Sequence, residues 1–442
     1  MSVHPPVFSD MMMTDDSNSL PATDRRSFLT SSALASAGLA ATSLLARKSF
    51  GEDGTSGETE HFHYRLAPAD GPWIDTQRGS RAFGTREGKI FLSEDNSNTW
   101  VHSADFADAE NIHFSSFLEN GRLIFATQRK IYSANEDLSE IREITVTGLD
   151  GKPYHPHKLR EGEKPGWYFY SLDGIHTFDV KGKEMLIWGN YCNVGTGPVP
   201  SNVYYSVDGG ETIKIAYGFG QNPAFNHKDA KPEEMVGNPD NPVVCRHIHS
   251  VTYKPVEDAF YACSGDIDRK IGVGLECHWL RGTYDADADE WDWKVVVSSD
   301  ANSRFKTGGM NFVDGKIYWV ADANGPKTIR EVYDRGIFRC KPEDIPDKSK
   351  HELLFPAKWE MAVMTIHGNT MVVPRYGNAD PADCGILVSP DLGKTWGNYD
   401  LKQFGDRSGV RVNPPNDEGW YRVQLMERWV NNAGILFLKM KA

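Results

Sequence analysis

The sequence predicts an all-β chain folded as a seven-bladed β-propeller of four-stranded antiparallel blades, and two independent repeats predict it. The first is a turn pattern that occurs three times: Ser93-Glu-Asp95-Asn-Ser-Asn-Thr99-Trp100, Ser206-Val-Asp208-Gly-Gly-Glu-Thr212-Ile213 and Ser389-Pro-Asp391-Leu-Gly393-Lys-Thr395-Trp396. Each copy has the order strand, tight turn, strand. The Asp carboxylate can accept backbone N–H groups of its own turn, Gly permits positive φ, and Thr with Trp or Ile begins a pleated strand. The second repeat is a hairpin layout. His113, His176 and His249 each lie thirteen residues before a small residue, Ala126, Gly189 and Ala262, that closes a second apolar strand.

Taken in chain order, these hairpins begin near residues 80, 113, 176, 249, 308, 361 and 420. Gly308 to Ala321 repeats the layout with Gly in place of His, Ser80–Ser93 and Met361–Pro374 follow it more loosely, and Trp420 to Met440 ends the series. Each blade then needs a second hairpin. The three Ser-x-Asp turns supply it in blades 1, 3 and 6. Tyr132–Asp137 and Gly282–Asp289 occupy the matching place in blades 2 and 4. His61–Leu66 is expected to close the ring against the last blade. Four-stranded blades around a channel leave only short, protected sheet edges. Residues 149–175 do not fit this scheme. His157 to Tyr170 shows the thirteen-residue step only nineteen residues before His176, and reads as an inserted hairpin or, alternatively, an eighth blade.

The first 58 residues stand apart from the propeller, assigned to 59–442. Thr23-Asp-Arg25-Arg26-Ser-Phe28-Leu29 resembles the twin-arginine export motif, and the Ala/Ser-rich apolar run Ser31–Ala46 that follows is too short for a comfortable membrane span. The expectation is a removable signal, use of the twin-arginine machinery, a periplasmic or secreted product, and no membrane contact in the mature form. Formal charge is −13, and four basic and seven acidic groups in residues 1–58 leave −10 for the rest. That balance argues against nucleic acid, and an acidic substrate would need a local basic pocket. The six cysteines have no paired CxxC spacing, which argues against a zinc knuckle and for mostly free, buried thiols.

In a propeller the start of each first strand and the end of each second strand share one face, and the turn between strands three and four lies on the other. The Ser-x-Asp turns are therefore structural, and the working face carries His113, His176 and His249, with Arg246 and His247 just before the last. It also carries Gln128-Arg129, Asn190-Tyr191, Asp266, Asp322, Asn324 and Arg375-Tyr376. Three neutral imidazoles facing one point would form a borderline site for one divalent metal, zinc, manganese or iron. Alternatively one imidazole is a general base and the others orient substrate. The acidic run Asp285–Asp292 lacks the Gly and Glu of an EF-hand and reads as a solvated loop.

The Ser-x-Asp turn resembles the Asp-box (BNR) repeat of the sialidase-like β-propellers, and the resemblance implies a fold for most of residues 60–442 rather than a chemistry. A sialidase also carries a Phe-Arg-Ile-Pro-type segment, an arginine triad and a Tyr–Glu pair. No such segment stands near the start, and a third convincing funnel arginine beyond Arg129 and Arg375 is hard to place. The nearest enzyme class is the propeller-type polysaccharide lyase, to whose oligogalacturonate-cleaving members His247-x-His249 bears a slight resemblance. Cleavage beside a uronate carboxylate needs a cation, a base near neutral pKa and a proton donor. Arg246 or Arg375, His249, and Tyr191 or Tyr376 are the candidates. A hydrolase would instead use two carboxylates, Asp266 and Asp322. A non-catalytic propeller that binds a glycan or protein is the third reading. The expected partner is a poly- or oligosaccharide of acidic character.

Overall fold

In the computed structural model the chain divides into two units, Met1–Ala46 and Arg47–Ala442. The structure describes residues 48–49, 56–67, 71–109, 112, 114–155, 168–172, 174, 176–191, 200–220, 237–265, 277–299, 303–322, 335–357, 359–375, 384–401, 408–427 and 431–441. Arg25 and Arg26 lie outside them. The second unit is a seven-bladed propeller of four-stranded antiparallel blades, and residues 149–175 do not make an eighth.

Blade 1 runs from the axis outward through Trp73–Arg78, Arg81–Arg86, Lys89–Ser93 and Thr99–Asp105. Blade 2 comprises Phe114–Phe117, Leu123–Ala126, Ile131–Ala134 and Ile141–Ile144, and blade 3 comprises His176–Val180, Lys183–Gly189, Asn202–Ser206 and Lys214–Gly218. Blade 4 is His247–Lys254, Ala259–Gly265, Cys277–Asp285 and Glu290–Ser299. Blade 5 is Met310–Val313, Lys316–Val320, Gly336–Cys340 and Glu352–Pro356. Blade 6 is Thr365–His367, Thr370–Arg375, Gly385–Ser389 and Gly397–Asp400. Blade 7 takes Ser408–Asn413, Trp420–Glu427 and Asn431–Met440 from the end of the chain and its fourth strand, Phe62–Ala67, from the beginning. The closing strand is therefore where the apolar pattern of residues 61–66 places it.

Two hairpins differ from the expected assignment. Those near residues 80 and 420 are the second and third strands of their blades, not the first and second. The innermost strands they lack, Trp73–Arg78 and Ser408–Asn413, carry Asp75, Thr76, Gln77 and Arg411, all buried. A strand whose buried residues are polar gives no period-two apolar signal. Arg422, fully buried, secures this seam by donating to the carbonyls of Ile74 and Asp75.

The Ser-x-Asp turns join the third and fourth strands of blades 1, 3 and 6 and share one hydrogen-bond pattern. Asp208 Oδ1 accepts from the Ser206 hydroxyl at 2.9 Å and from the N–H of Thr212 at 3.0 Å, and Oδ2 accepts from the Thr212 hydroxyl at 2.6 Å. Asp95 and Asp391 repeat these bonds with Ser93 and Thr99 and with Ser389 and Thr395. Positive φ falls on Gly209 and Gly210 in the second copy, and on Asn96 and Ser97 in the first. Asn is among the non-Gly residues that tolerate that region best.

The core lies between blades, where apolar faces of adjacent sheets meet. Phe178 of blade 3, for example, packs edge-on against Phe260 of blade 4. Five of the cysteines, at 245, 263, 277, 340 and 384, are free thiols buried in these layers, and Cys192 lies outside the described residues. Among the described residues no helix is long and apolar enough to cross a membrane.

Candidate functional site

The blade 4 entry places the site's central side chain. Its first strand pairs His247 with Gly265 and Ile248 with Ser264, then shifts register so that Ser250 meets Cys263. His249 is the extra residue of this bulge, a device that re-aims a side chain and ends regular pairing. Its imidazole has no solvent exposure, and Nδ1 lies 3.4 Å from Asp322 Oδ2. Neither ring nitrogen has a hydrogen-bond partner among the described residues. The Lys306 ammonium stands 3.7 Å from the same carboxylate oxygen, and its side chain is 1% exposed. An imidazole, a carboxylate and an ammonium thus share one dry position, where an isolated charge would cost several kcal/mol and a balanced pair is tolerated.

Buried tryptophans hold the backbone that carries Lys306 and Asp322. Trp279 Nε1 donates to the Phe305 carbonyl, Trp319 Nε1 to the Arg304 carbonyl at 2.7 Å, and the Cys263 thiol also reaches the Phe305 carbonyl. Asp322 N–H donates to the Lys306 carbonyl at 2.7 Å, which locks the carboxylate's residue to the ammonium's. On the other side of His249 stands Tyr191. Its ring stacks on His247 at 3.8 Å between centroids, and meets the His249 ring edge-on at 5.4 Å.

The structure therefore brings together His249, His247, Tyr191 and Asp322 of the residues expected on the working face. It adds Lys306, which the sequence reading missed. Lys306 sits in a connection ahead of a first strand, and the only clue is its place two residues before the Gly308 that opens blade 5. Arg246 is half-buried at the start of this strand, where its carbonyl accepts from the Ser201 hydroxyl. Arg375 is committed to its own blade. Its buried guanidinium lies over Trp359 at 4.2 Å and bonds Asp400 at 2.8 Å and the Tyr399 carbonyl at 3.2 Å. A Cβ on Gly385 would overlap it. Asp266, Tyr376, Asn324 and His113 lie outside the described residues.

His176 does not join His249. The shared thirteen-residue offset conceals hairpin turns of different length. Blade 3 pairs Val180 with Lys183 across two residues, so His176 lies opposite Ile187 rather than Gly189. Blade 4 pairs Lys254 with Ala259 across four residues, so Ala262 meets Val251 and His249 projects beyond it. The His176 ring stacks instead on Phe178 of its own strand. Among the described residues no group of three His, Cys, Asp or Glu side chains is arranged to hold a metal.

A second buried polar group lies on the same face, across blades 7, 1 and 2. Arg411 Nη1 bonds Asp75 Oδ1 at 3.0 Å, and Asp75 Oδ2 accepts from the Ser115 hydroxyl at 2.5 Å. Asp75 and Arg411 come from the two innermost strands that the hairpin pattern does not reveal.

No family model and no curated protein sequence matches the chain. It is similar in structure to YCF48 bound to D1 peptide, at 12% identity and a TM-score of 0.48, covering 88% of this chain and 100% of that one. It is also similar to the GH74 enzyme of Niastella koreensis, at 11% identity and a TM-score of 0.45, covering 84% of this chain and 52% of that one. A gluconolactonase from Xanthomonas campestris gives 8% identity and a TM-score of 0.38, with 89% and 97% covered. Likenesses this remote say nothing about chemistry.

Proposed function

We propose that this propeller is an exported carbohydrate-active enzyme that cleaves uronic-acid-containing polysaccharide by a lyase-type elimination in its funnel. The observation that carries the reading is His249, whose Nδ1 faces the Asp322 carboxylate at 3.4 Å and whose ring nitrogens carry no hydrogen bond among the described residues. An imidazole so oriented is a general base. His249 Nε2 takes the proton beside the uronate carboxylate, the electron pair forms the ring double bond, and the glycosidic C–O bond breaks. In this reading Tyr191 protonates the departing oxygen, and Arg246 neutralises the carboxylate. The Asp322 carboxylate beside Nδ1 favours the imidazolium that forms, and Lys306 balances Asp322. No step requires a metal. The three Ser-x-Asp turns support assignment to the Asp-box propellers, and Arg25-Arg26 supports export by the twin-arginine route.

The test is ultraviolet absorbance of unsaturated uronate when the exported protein meets polygalacturonate, alginate or a glycosaminoglycan. The His249→Ala change should lower kcat at least about a hundredfold, the scale of general base catalysis, with circular dichroism unchanged. Tight binding without product from any of these polymers would instead make the chain a glycan-binding propeller. The complete burial of the His249 imidazole favours that second reading.

A further inference from the structure

Away from the funnel, the outer half of blade 4 sets a serine against a histidine beside a cavity. Its third and fourth strands pair Leu280 with Val295, then shift register so that Trp279 meets Val297 and His278 meets Ser298. Val296 is the extra residue. Without it, the pairing of Leu280 with Val295 would continue to His278 with Val297, which has no hydroxyl. The bulge thus selects the partner, as bulges near functional positions do. Ser298 Oγ lies 2.8 Å from His278 Nδ1, within the reach of a nucleophile and its base. Ser298 is exposed, whereas His278 is 7% exposed. The Ser264 hydroxyl donates to the His278 carbonyl at 3.4 Å and accepts from its N–H at 3.2 Å, which fixes the backbone that carries the imidazole.

Ser298 opens onto a cavity of about 640 Å³, a volume suited to a small molecule. Ser299 and Phe305 line it on one side, and the turn between the third and fourth strands of blade 5 lines it on the other. That turn is braced. Asp347 accepts from the Ser349 N–H at 3.0 Å and hydroxyl at 2.6 Å, Lys350 Nζ donates to Asp344 at 2.7 Å, and Arg304 donates to the Lys348 carbonyl at 3.2 Å. The Lys348 ammonium lies over the Phe305 ring at 5.5 Å. With Glu343, the lining carries three carboxylates to two ammonium groups, a balance that disfavours an anionic ligand. The cavity is distinct from the funnel group, because Phe305 lines it while the next residue, Lys306, faces Asp322.

We propose that Ser298 and His278 are a nucleophile–base pair that hydrolyses neutral short-chain carboxylic esters in this cavity, an activity separate from the funnel. Ser298 Oγ bonds to the ester carbonyl carbon as its proton passes to His278 Nδ1, in the tautomer protonated at Nε2. The carbonyl electron pair moves to oxygen, and Lys348 supplies the cation for that charge. Collapse of the adduct breaks the bond to the alcohol oxygen, which takes the proton from His278. Water then attacks the acyl-serine by the same proton path and releases the acid. An ester suits a site with one base and one cation, because an alkoxide departs more readily than an amide nitrogen.

The test uses the full chain and two probes. A fluorophosphonate, followed by digestion and mass spectrometry, should label Ser298 ahead of every other serine. Hydrolysis of p-nitrophenyl acetate should fall at least about a hundredfold in Ser298→Ala, a change at an exposed position that leaves the blade core intact. His278→Gln should abolish the labelling of Ser298 while circular dichroism stays unchanged. Labelling of Ser298 no faster than that of other exposed serines would overturn the proposal. So would ester hydrolysis that is the same in Ser298→Ala as in the unaltered protein, whatever the buried His278 variant does to folding. Absence of polysaccharide cleavage leaves both readouts unaffected, so this proposal and the lyase reading can fail separately.

Discussion

The two ends of this propeller use polar residues in opposite ways. At the turn end, each Ser-x-Asp motif satisfies itself within four residues, as Asp208 does with Ser206 and Thr212. At the funnel end, His249 meets Asp322 from the next blade, and Arg411 meets Asp75 across 336 positions of chain. One end is a set of independent local modules, and the other is a coupled network of buried charges. Independent modules should add in energy and coupled ones should not.

The largest expected effect is at the funnel end. Replacing Asp322 by Ala removes the carboxylate that faces the buried Lys306 ammonium and should cost about 3–5 kcal/mol in urea unfolding. The double change Asp322→Leu with Lys306→Met removes both charges and should recover most of that loss. A single-variant cost below about 1 kcal/mol, in the range of exposed pairs, would break the contrast between the two ends.

A smaller effect belongs to the turns. Asp208→Ala and Asp391→Ala each remove a carboxylate that ties its own turn, a loss comparable to that of a helix cap, about 1 kcal/mol. They lie in different blades without shared partners, so the double variant should equal the sum within about 0.5 kcal/mol. A large coupling energy would show that the turns are not independent.

The smallest effect is a pH dependence confined to the turn end. Partial burial pushes the Asp95, Asp208 and Asp391 carboxyls up. In each the hydrogen bonds from Thr and Ser hydroxyls and backbone N–H groups outweigh it and hold the carboxyl below its ordinary range. A depressed folded-state pKa contributes stability that is fully present above the unfolded value, near 3.9, and lost as pH falls through the folded one. Melting temperature should therefore fall below about pH 4, and the triple Asp→Asn variant should show a shallower fall in that window. An unchanged slope would place the acid sensitivity elsewhere, with the funnel carboxylates the next to examine.

What could be read in the sequence follows the same division. The Ser-x-Asp turns, the seven hairpins and the closing strand at Phe62–Ala67 are legible because each is encoded within one or two strands by alternation, turn residues and spacing. The two innermost strands at Trp73–Arg78 and Ser408–Asn413 are not, because their buried faces are polar. The placement of His249 was legible only in part. Its position at the start of blade 4 follows from the hairpin, but its direction depends on a one-residue bulge.

The sequence by itself determined the architecture, because a propeller is a repeat whose units carry their own signals of period two and of turn chemistry. It also determined that blade 4 opens with two histidines near Arg246. The tertiary structure alone decided which side chains meet them. Turn length sets each strand's pairing, so with equal sequence offsets His176 lies opposite Ile187 while His249 falls in a bulge beyond the Val251–Ala262 pair. Ring closure brings Arg411 to Asp75, and packing across blades brings Leu172 onto Ala362 and Val363. Contacts between distant segments depend on the summed register of every intervening blade, and no local pattern records that sum.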